Sequence, residues 1–472
     1  MLKHTLARRG KTGPWSWLTA ICLAAAAATA QTASAPPAPP VPACPPAPAG
    51  YDPALWQRAW ALHHAAVVVD THIDTTSLVL DRNLDMGQLH STGHVDLPRA
   101  ALGGLDAVFY SIYVDARFHG DEAPLFAHPP RTVNDDWPRP ALPGTPNGSA
   151  RRALAMIDGL CRTAAQHPER MWLCSSVAEL RAAVAAGKHA ALMGIEGGHA
   201  IEGDLGLLRQ FARLGVRYMT LTHSNHNEFA DSCAPAEPRW GGLNRLGVKV
   251  VREMNRLGMM VDVSHVSDAT FADALAATRA PVICSHSSMR ALCGHRRNLT
   301  DAMLRALAAQ GGVVMINYNC GFLDDDYAVR ASATRATRQI EEKAARAKLP
   351  ADSAELQAAL QALDQRFPPV PRPPLQRLVD HVWHALTVGG EDHVGLGSDF
   401  DGVPCVPEGM DDATFLPRLT YELLARGAEE RVVRKVLGEN LLRVFAAVEA
   451  TARQLAAEPP AQPAASDQER LR

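Results

Sequence analysis

VVVDTHID, residues 67–74, is the stretch on which the reading of the whole chain turns. Residues 65–69 form an apolar run, β-branched in its second part, as a buried strand requires. A histidine and an aspartate follow, two positions apart. On an extended chain residues i and i+2 point to the same side, so His72 and Asp74 offer a nitrogen and a carboxylate oxygen to one cation from the mouth of a single strand. That pairing suits a metal such as zinc. Two donors are too few, and the rest have to come from elsewhere.

Seven further apolar runs follow, at residues 107–114, 189–195, 217–221, 259–263, 281–284, 312–316 and 393–397. Between most of them lie segments of helical period with recognisable ends: Ser267 opens DATFADALAATR, and Thr300 opens DAMLRALAAQ, which stops at Gly311 and Gly312. A helix is also expected over 52–64, leading straight into the first strand. Eight strands alternating with helices predict an α/β fold with a parallel sheet, and eight is the number that closes a (β/α)8 TIM-type barrel. A doubly wound open sheet is the alternative. Two connections are too long for simple crossovers, so the barrel is expected to carry two long insertions. One spans 115–188 and holds a proline-rich stretch at 124–146. The other, about 321–390, starts at Asp324-Asp325-Asp326, continues as a charged helical segment and passes through PPVPRPP into a further helix. Loops of this length act as lids or interaction elements, and the second is a candidate for narrowing or reshaping the entrance.

The 472 residues carry a net charge of −3, with 47% hydrophobic and 21% charged residues. That is a globular composition with no basic stripe for nucleic acid. At the N-terminus Lys3, Arg8, Arg9 and Lys11 precede an apolar run at 17–28 and small-residue sites, which reads as an export signal over 1–30 cleaved after Ala30. A proline-rich tether over 31–50, a barrel domain over 51–450 and a disordered tail over 451–472 are expected to follow. The protein is therefore expected to be exported, periplasmic or secreted, or membrane-associated if the signal is retained. Of nine cysteines, Cys293 and Cys320 are the expected disulfide partners, because both flank segments placed at neighbouring strand ends.

Polar residues stand at the ends of the strands. After the first come His72 and Asp74; after the third, Glu196 in GIEGGH; after the fourth, His223 in LTHSNH. The fifth is followed by His265, the sixth by His286, the seventh by Asn317 and Tyr318, and the eighth by Asp399 in GSDFDG. A barrel brings all these ends to one face, where catalytic residues of such folds sit.

The segments HID, GIEGGH, LTHS, DVSHVS, SHSS, RRN and DFDG, with VPEG and GENLLRVF after them, resemble the membrane dipeptidase (renal dipeptidase) family of the amidohydrolase superfamily over residues 61–447. The resemblance implies two zinc ions per subunit: one held by His72, Asp74 and Glu196, the other by Glu196, His265 and His286, with Glu196 bridging. A carboxylate has two oxygens and can span two cations, which together acidify a bridging water into a hydroxide nucleophile. The resemblance further implies Asp399 as general base and acid, His223 as stabiliser of the tetrahedral oxyanion, and Arg297 in HRRNLTD as binder of the substrate carboxylate. Small dipeptides, including those with a C-terminal D-residue, are the expected partners; a homodimer is left open.

Two other functions fit the same residues: an amidohydrolase that deacylates N-acyl amino acids, and a non-catalytic binding protein on the same fold. His199, His226, Asp231, His295 and Asp401 read as supports or loop residues, Arg296 as a carboxylate binder one register away, and Gly197 and Gly198 as positions permitting an unusual backbone beside Glu196. Thr75, Thr76 and Ser77 replace an aromatic residue found in some relatives, and Asn317-Tyr318-Asn319 replaces Asn-Phe-Tyr.

Overall fold

The structure, a computed structural model, describes residues 41–119, 148–350 and 353–462. The expected signal, the first part of the tether, the 124–146 stretch and the end of the tail lie outside the described residues. Among the described residues nine parallel strands form one sheet: β1 Val69–Ile73, β2 Ala107–Tyr113, β3 Met171–Leu173, β4 His189–Glu196, β5 Val216–Thr220, β6 Met260–Asp262, β7 Ile283–Cys284, β8 Val313–Ile316 and β9 Val394–Leu396. Eight of them follow the order β2-β1-β9-β8-β7-β6-β5-β4, and β2 pairs directly with β4 from Ala107↔Ala190 to Tyr113↔Glu196, closing a barrel. Seven of these coincide with expected apolar runs; β1 starts only at Val69, the last residue of the expected run 65–69, because the preceding helix extends to Ala65, so His72 lies within the strand and not after it. β3 was not expected; it lies against the start of β4, at Met171↔His189, outside the ring.

The runs are continuous because helices cover the barrel outside while side chains fill it inside. Val69, Phe109, Leu192, Tyr218, Ile283 and Met315 share one buried cluster with Leu441, Val444, Phe445 and Val448 of the helix Asn440–Leu455. Phe445 meets Phe109 edge-on at 5.9 Å, so this helix forms the floor of the barrel. The expected caps form: Ser267 accepts from Thr270 N, and Thr300 from Met303 N.

Several boundaries differ from the sequence reading. Residues of the expected tether lie against the first helix, Pro53–Ala65, because the Pro42 and Pro45 carbonyls accept the indole N–H groups of Trp60 and Trp56, each at 2.9 Å. The last helix runs past 451 to Leu455, and Ala461 N then donates to Glu253 Oε2 at 3.0 Å, so the tail is docked to residue 461. The disulfide joins Cys320 to Cys405, while Cys293 is a buried free thiol beside Asp325. Cys320 lies just beyond β8, and the chain leaving neighbouring β9 brings Cys405 to it.

The long connection after β8 contains a helical pair, Asp325–Lys348 and Ala354–Arg366, joined by the ion pairs Arg338–Asp364 and Arg366–Glu341. Helix Asp325–Lys348 buries none of its residues. The following helix, Leu375–Gly389, packs on the barrel as an ordinary crossover, so the insertion proper ends before it. At the root of the insertion the Phe322 ring lies 5.5 Å from the Arg297 guanidinium.

Candidate metal centre

The C-terminal strand ends converge on Glu196, the last residue of β4. His72 Nε2, from β1, lies 3.5 Å from Glu196 Oε2 and 3.4 Å from Asp74 Oδ2. Glu196 Oε1 faces the other way, 3.0 Å from His265 Nε2, 3.3 Å from His286 Nε2 and 3.7 Å from His223 Nε2. Asp399 Oδ1 lies 4.0 Å from His72 Nε2. All these residues but His223 and His265 are buried, and those two are half-buried. One carboxylate thus divides its oxygens between two donor groups.

Local backbone serves this convergence. His265 and Asp399 hold φ of 64° and 63°, a region that L-residues avoid unless their surroundings impose it. Gly197 sits at φ 103°, and a side chain on Gly198 would run into the Leu221 carbonyl, so both glycines are required there. Asp74 stands at the N-cap of helix Thr75–Arg82 yet makes no capping bond; its carboxylate is turned to the cluster.

Electrostatics keeps His265, His286 and Glu196 in ligand form, while His72, against the effect of its burial, is raised well above the usual histidine range by Tyr218, Glu196 and Asp74. Burial, followed by the neighbouring cations, Arg297 for His265 and His72 for His286, holds both rings well below the usual histidine range and therefore neutral. Burial opposes the charge on Glu196, but His72 and His223 and the bonds from His265 and His286 outweigh it and hold Glu196 well below the usual carboxylate range. Burial pushes Asp399 well up, and Asp74 and Glu196 add to this.

The residues fit divalent metal ions. His72 Nε2 and Asp74 Oδ1 are buried and aimed into the cluster without a hydrogen-bond partner, a costly state that a cation relieves. His265 Nε2 and His286 Nε2 stand only 2.9 Å apart, two nitrogens turned to one centre. The far sides of the His286 and His72 rings are anchored, as suits ligating histidines. His286 Nδ1 lies 2.7 Å from Ser285 Oγ, which donates to Asp262 Oδ2 at 2.6 Å, so His286 must donate from Nδ1 and leave Nε2 bare. His72 Nδ1 is held by Tyr218 OH at 2.7 Å.

Arg297 is buried at the rim, with Nη1 on Ser287 Oγ at 3.2 Å and Nη2 on the His286 carbonyl at 3.0 Å. Arg296 points elsewhere, to the carbonyls of Cys233, Ala234 and Pro235. His199 is bonded to the Val114 carbonyl, His226 faces Asp231, and Asp401 takes His94 and Thr75. These are supports, and His295 packs on Phe322.

Residues 56–459 match the membrane dipeptidase family (peptidase family M19). The chain belongs to that family. It is 37% identical over 366 residues to dipeptidase aclJ of Aspergillus oryzae (strain ATCC 42149 / RIB 40), covering 77% of this chain and 72% of that one. It is 35% identical over 356 residues to dipeptidase verJ of Clonostachys rogersoniana, covering 75% and 76%. Among solved structures it is similar to the probable dipeptidase PvdM from Pseudomonas aeruginosa, with a TM-score of 0.68, 25% identity and 85% and 100% of the two chains covered. It is also similar to a metallopeptidase from Rhodobacter sphaeroides liganded with a phosphinate mimic of the dipeptide L-Ala-D-Ala, with a TM-score of 0.63, 28% identity and 81% and 99% covered. As a membrane dipeptidase family member, the chain is a peptidase of the dipeptidase type.

Four residues around this family member's cluster escaped the sequence reading. Tyr218 and Asp262 lie inside apolar runs and read as core; Asp70 accepts from the backbone N–H groups of His72 and Ser398. Ser111, which donates to Glu196 Oε2 at 3.3 Å, sits in the second strand. A period of two counted inward from Glu196's neighbours would have found Ser111 and Tyr218.

Proposed function

We propose that the chain is a zinc-dependent dipeptidase that hydrolyses small dipeptides, those with a C-terminal D-residue included, at a two-zinc centre bridged by Glu196, and that it works outside the cytoplasm. The observation that carries the reading is the division of Glu196, with Oε2 towards His72 and Oε1 towards His265 and His286. His72, Asp74 and Glu196 would hold one ion, and Glu196, His265 and His286 the other. Bound there, the ions supply positive charge to polarise the scissile carbonyl and an acidified water to attack it.

The chain's own groups do the rest. Asp399 takes the proton from the attacking water and passes it to the leaving amine. His223, on the Oε1 side of Glu196, is the donor for the oxyanion. The Arg297 fork receives the substrate's carboxylate at the rim. Acceptance of D-residues is supported by the relative that binds the L-Ala-D-Ala mimic. Export is supported by the N-terminal signal pattern and by the Cys320–Cys405 disulfide, which suits an oxidising compartment.

The test uses protein starting at Gln31, stripped by a chelator and then reloaded with zinc, on L-L, L-D and N-acylated dipeptides. Zinc-restored release of amino acids from free L-L and L-D dipeptides alone is expected. Cleavage confined to acylated substrates would replace this reading with a deacylase, and zinc binding without any cleavage would replace it with a binding protein.

A further inference from the structure

Asp399 is held by more than its own strand. Its backbone N–H donates to the His72 carbonyl at 3.0 Å, and its Oδ2 accepts from Asn317 Nδ2 at 2.8 Å. The orientation of the Asn317 amide is settled by its other end, because Oδ1 accepts the backbone N–H of Asn319 at 2.6 Å and a carbonyl oxygen alone can do that. Asn317 is fully buried. Its bond occupies one Asp399 oxygen and leaves the other, Oδ1, turned to His72 and the cluster. The two oxygens of the carboxylate are therefore made inequivalent.

The loops bearing these two residues are also fastened together. Tyr318 N donates to the Ser398 carbonyl at 3.2 Å, next to both side chains, and Cys320 N donates to the Cys405 carbonyl at 3.0 Å further out. The disulfide between Cys320 and Cys405 locks the second point covalently. Asp399 lies between these fastenings at a φ of 63°, a conformation its surroundings must enforce.

We propose that Asn317 is a positioning residue for the proton-transfer carboxylate, and that the Cys320–Cys405 disulfide clamps the β8 and β9 loops so that Asn317 stays on Asp399. This rests on the dipeptidase reading above. Misplacing a group that must meet a proton lowers the rate of the chemical step while leaving ground-state binding in place.

The experiment measures kcat, KM and zinc content for Asn317→Ala and for the Cys320→Ser/Cys405→Ser pair, each alone and in an Asp399→Asn background. Asn317→Ala is expected to lower kcat by about 10- to 100-fold, the usual loss for such a supporting partner, at unchanged KM and zinc content. The cysteine pair should lower kcat in the same manner by a smaller factor. Neither change should cost anything further once Asp399 is asparagine, whereas a merely structural role would add its full loss there. Additive losses, or a rise in KM at constant kcat, would overturn the clamp. If Asn317→Ala loses zinc or fails to fold, the cysteine pair, whose side chains are remote from the donors in sequence, carries the same test. A parent chain without dipeptidase activity would overturn the proposed function and this role with it; an active parent with additive variants would overturn this role alone.

Discussion

Gly402 shows how little room the cluster leaves. A Cβ there would press on Asp74 Oδ2 and come within 2.6 Å of Asp399 Oδ1, closer than any real contact of this kind. The two carboxylates can approach only over a residue with no side chain. Gly402→Ala is expected to abolish turnover and reduce retained zinc while the fold survives, which metal analysis beside circular dichroism would check; full zinc retention would contradict it. Tyr218 is the counterpart on the other side of His72. Removing its hydroxyl leaves His72 Nδ1 unbonded in a buried site, and Tyr218→Phe should weaken zinc affinity by about 10- to 100-fold, read by competition with a chromogenic chelator. Gly194 makes space for that tyrosine, since a side chain at Gly194 would coincide with the Tyr218 ring.

Among the elements, the floor helix Asn440–Leu455 matters most for stability. Phe445 is fully buried against Phe109, and Phe445→Ala is expected to cost about 3–5 kcal/mol, measured by urea unfolding of the zinc-loaded protein. Seven of the eight barrel strands were legible because strands buried on both faces are largely apolar, and the donors at their ends were legible because they break those runs; β1, VDTHI, is polar in its middle, so the apolar run before it placed the strand four residues early. What stayed hidden was hidden for physical reasons. β3 has three residues, and its Trp172 is 40% exposed, so it carries no signal of burial. Tyr218 and Asp262 act through polar atoms set within runs that composition reports as core. The cysteine pairing depended on where the chain goes after β9, a matter of loop path that spacing along the sequence does not encode. The Glu196-centred cluster could be assembled from strand order, but the anchoring of His286 through Ser285 to Asp262 depends on side-chain geometry across two strands, which spacing along the sequence does not encode.

At the scale of the whole molecule, buried histidines away from the cluster set a dependence on pH. Burial lowers His63 to about 3, and His189 and His381 to about 4. Each stays neutral in the fold while its unfolded counterpart takes a proton below about 6.5, so stability is lost as pH falls from about 6.5 towards 4. Asp106, raised to about 7 by burial, works in the opposite direction over much of that window. His63 makes two hydrogen bonds, to Thr420 and to the Gly103 carbonyl. In His63→Gln the melting temperature should therefore fall less steeply between pH 6.5 and 4.5 than in the parent, and equal slopes would remove His63 from the account. The seam of the barrel has a consequence of its own. β1 pairs with β2 on one side and on the other with β9, at Asp70↔Leu396, and the floor comes later still, from residue 440 onward. On the ribosome, then, the first strand waits with one edge bare until Leu396 has emerged. A chain whose first strand is closed only by β9 stays threadable until β9 has been made.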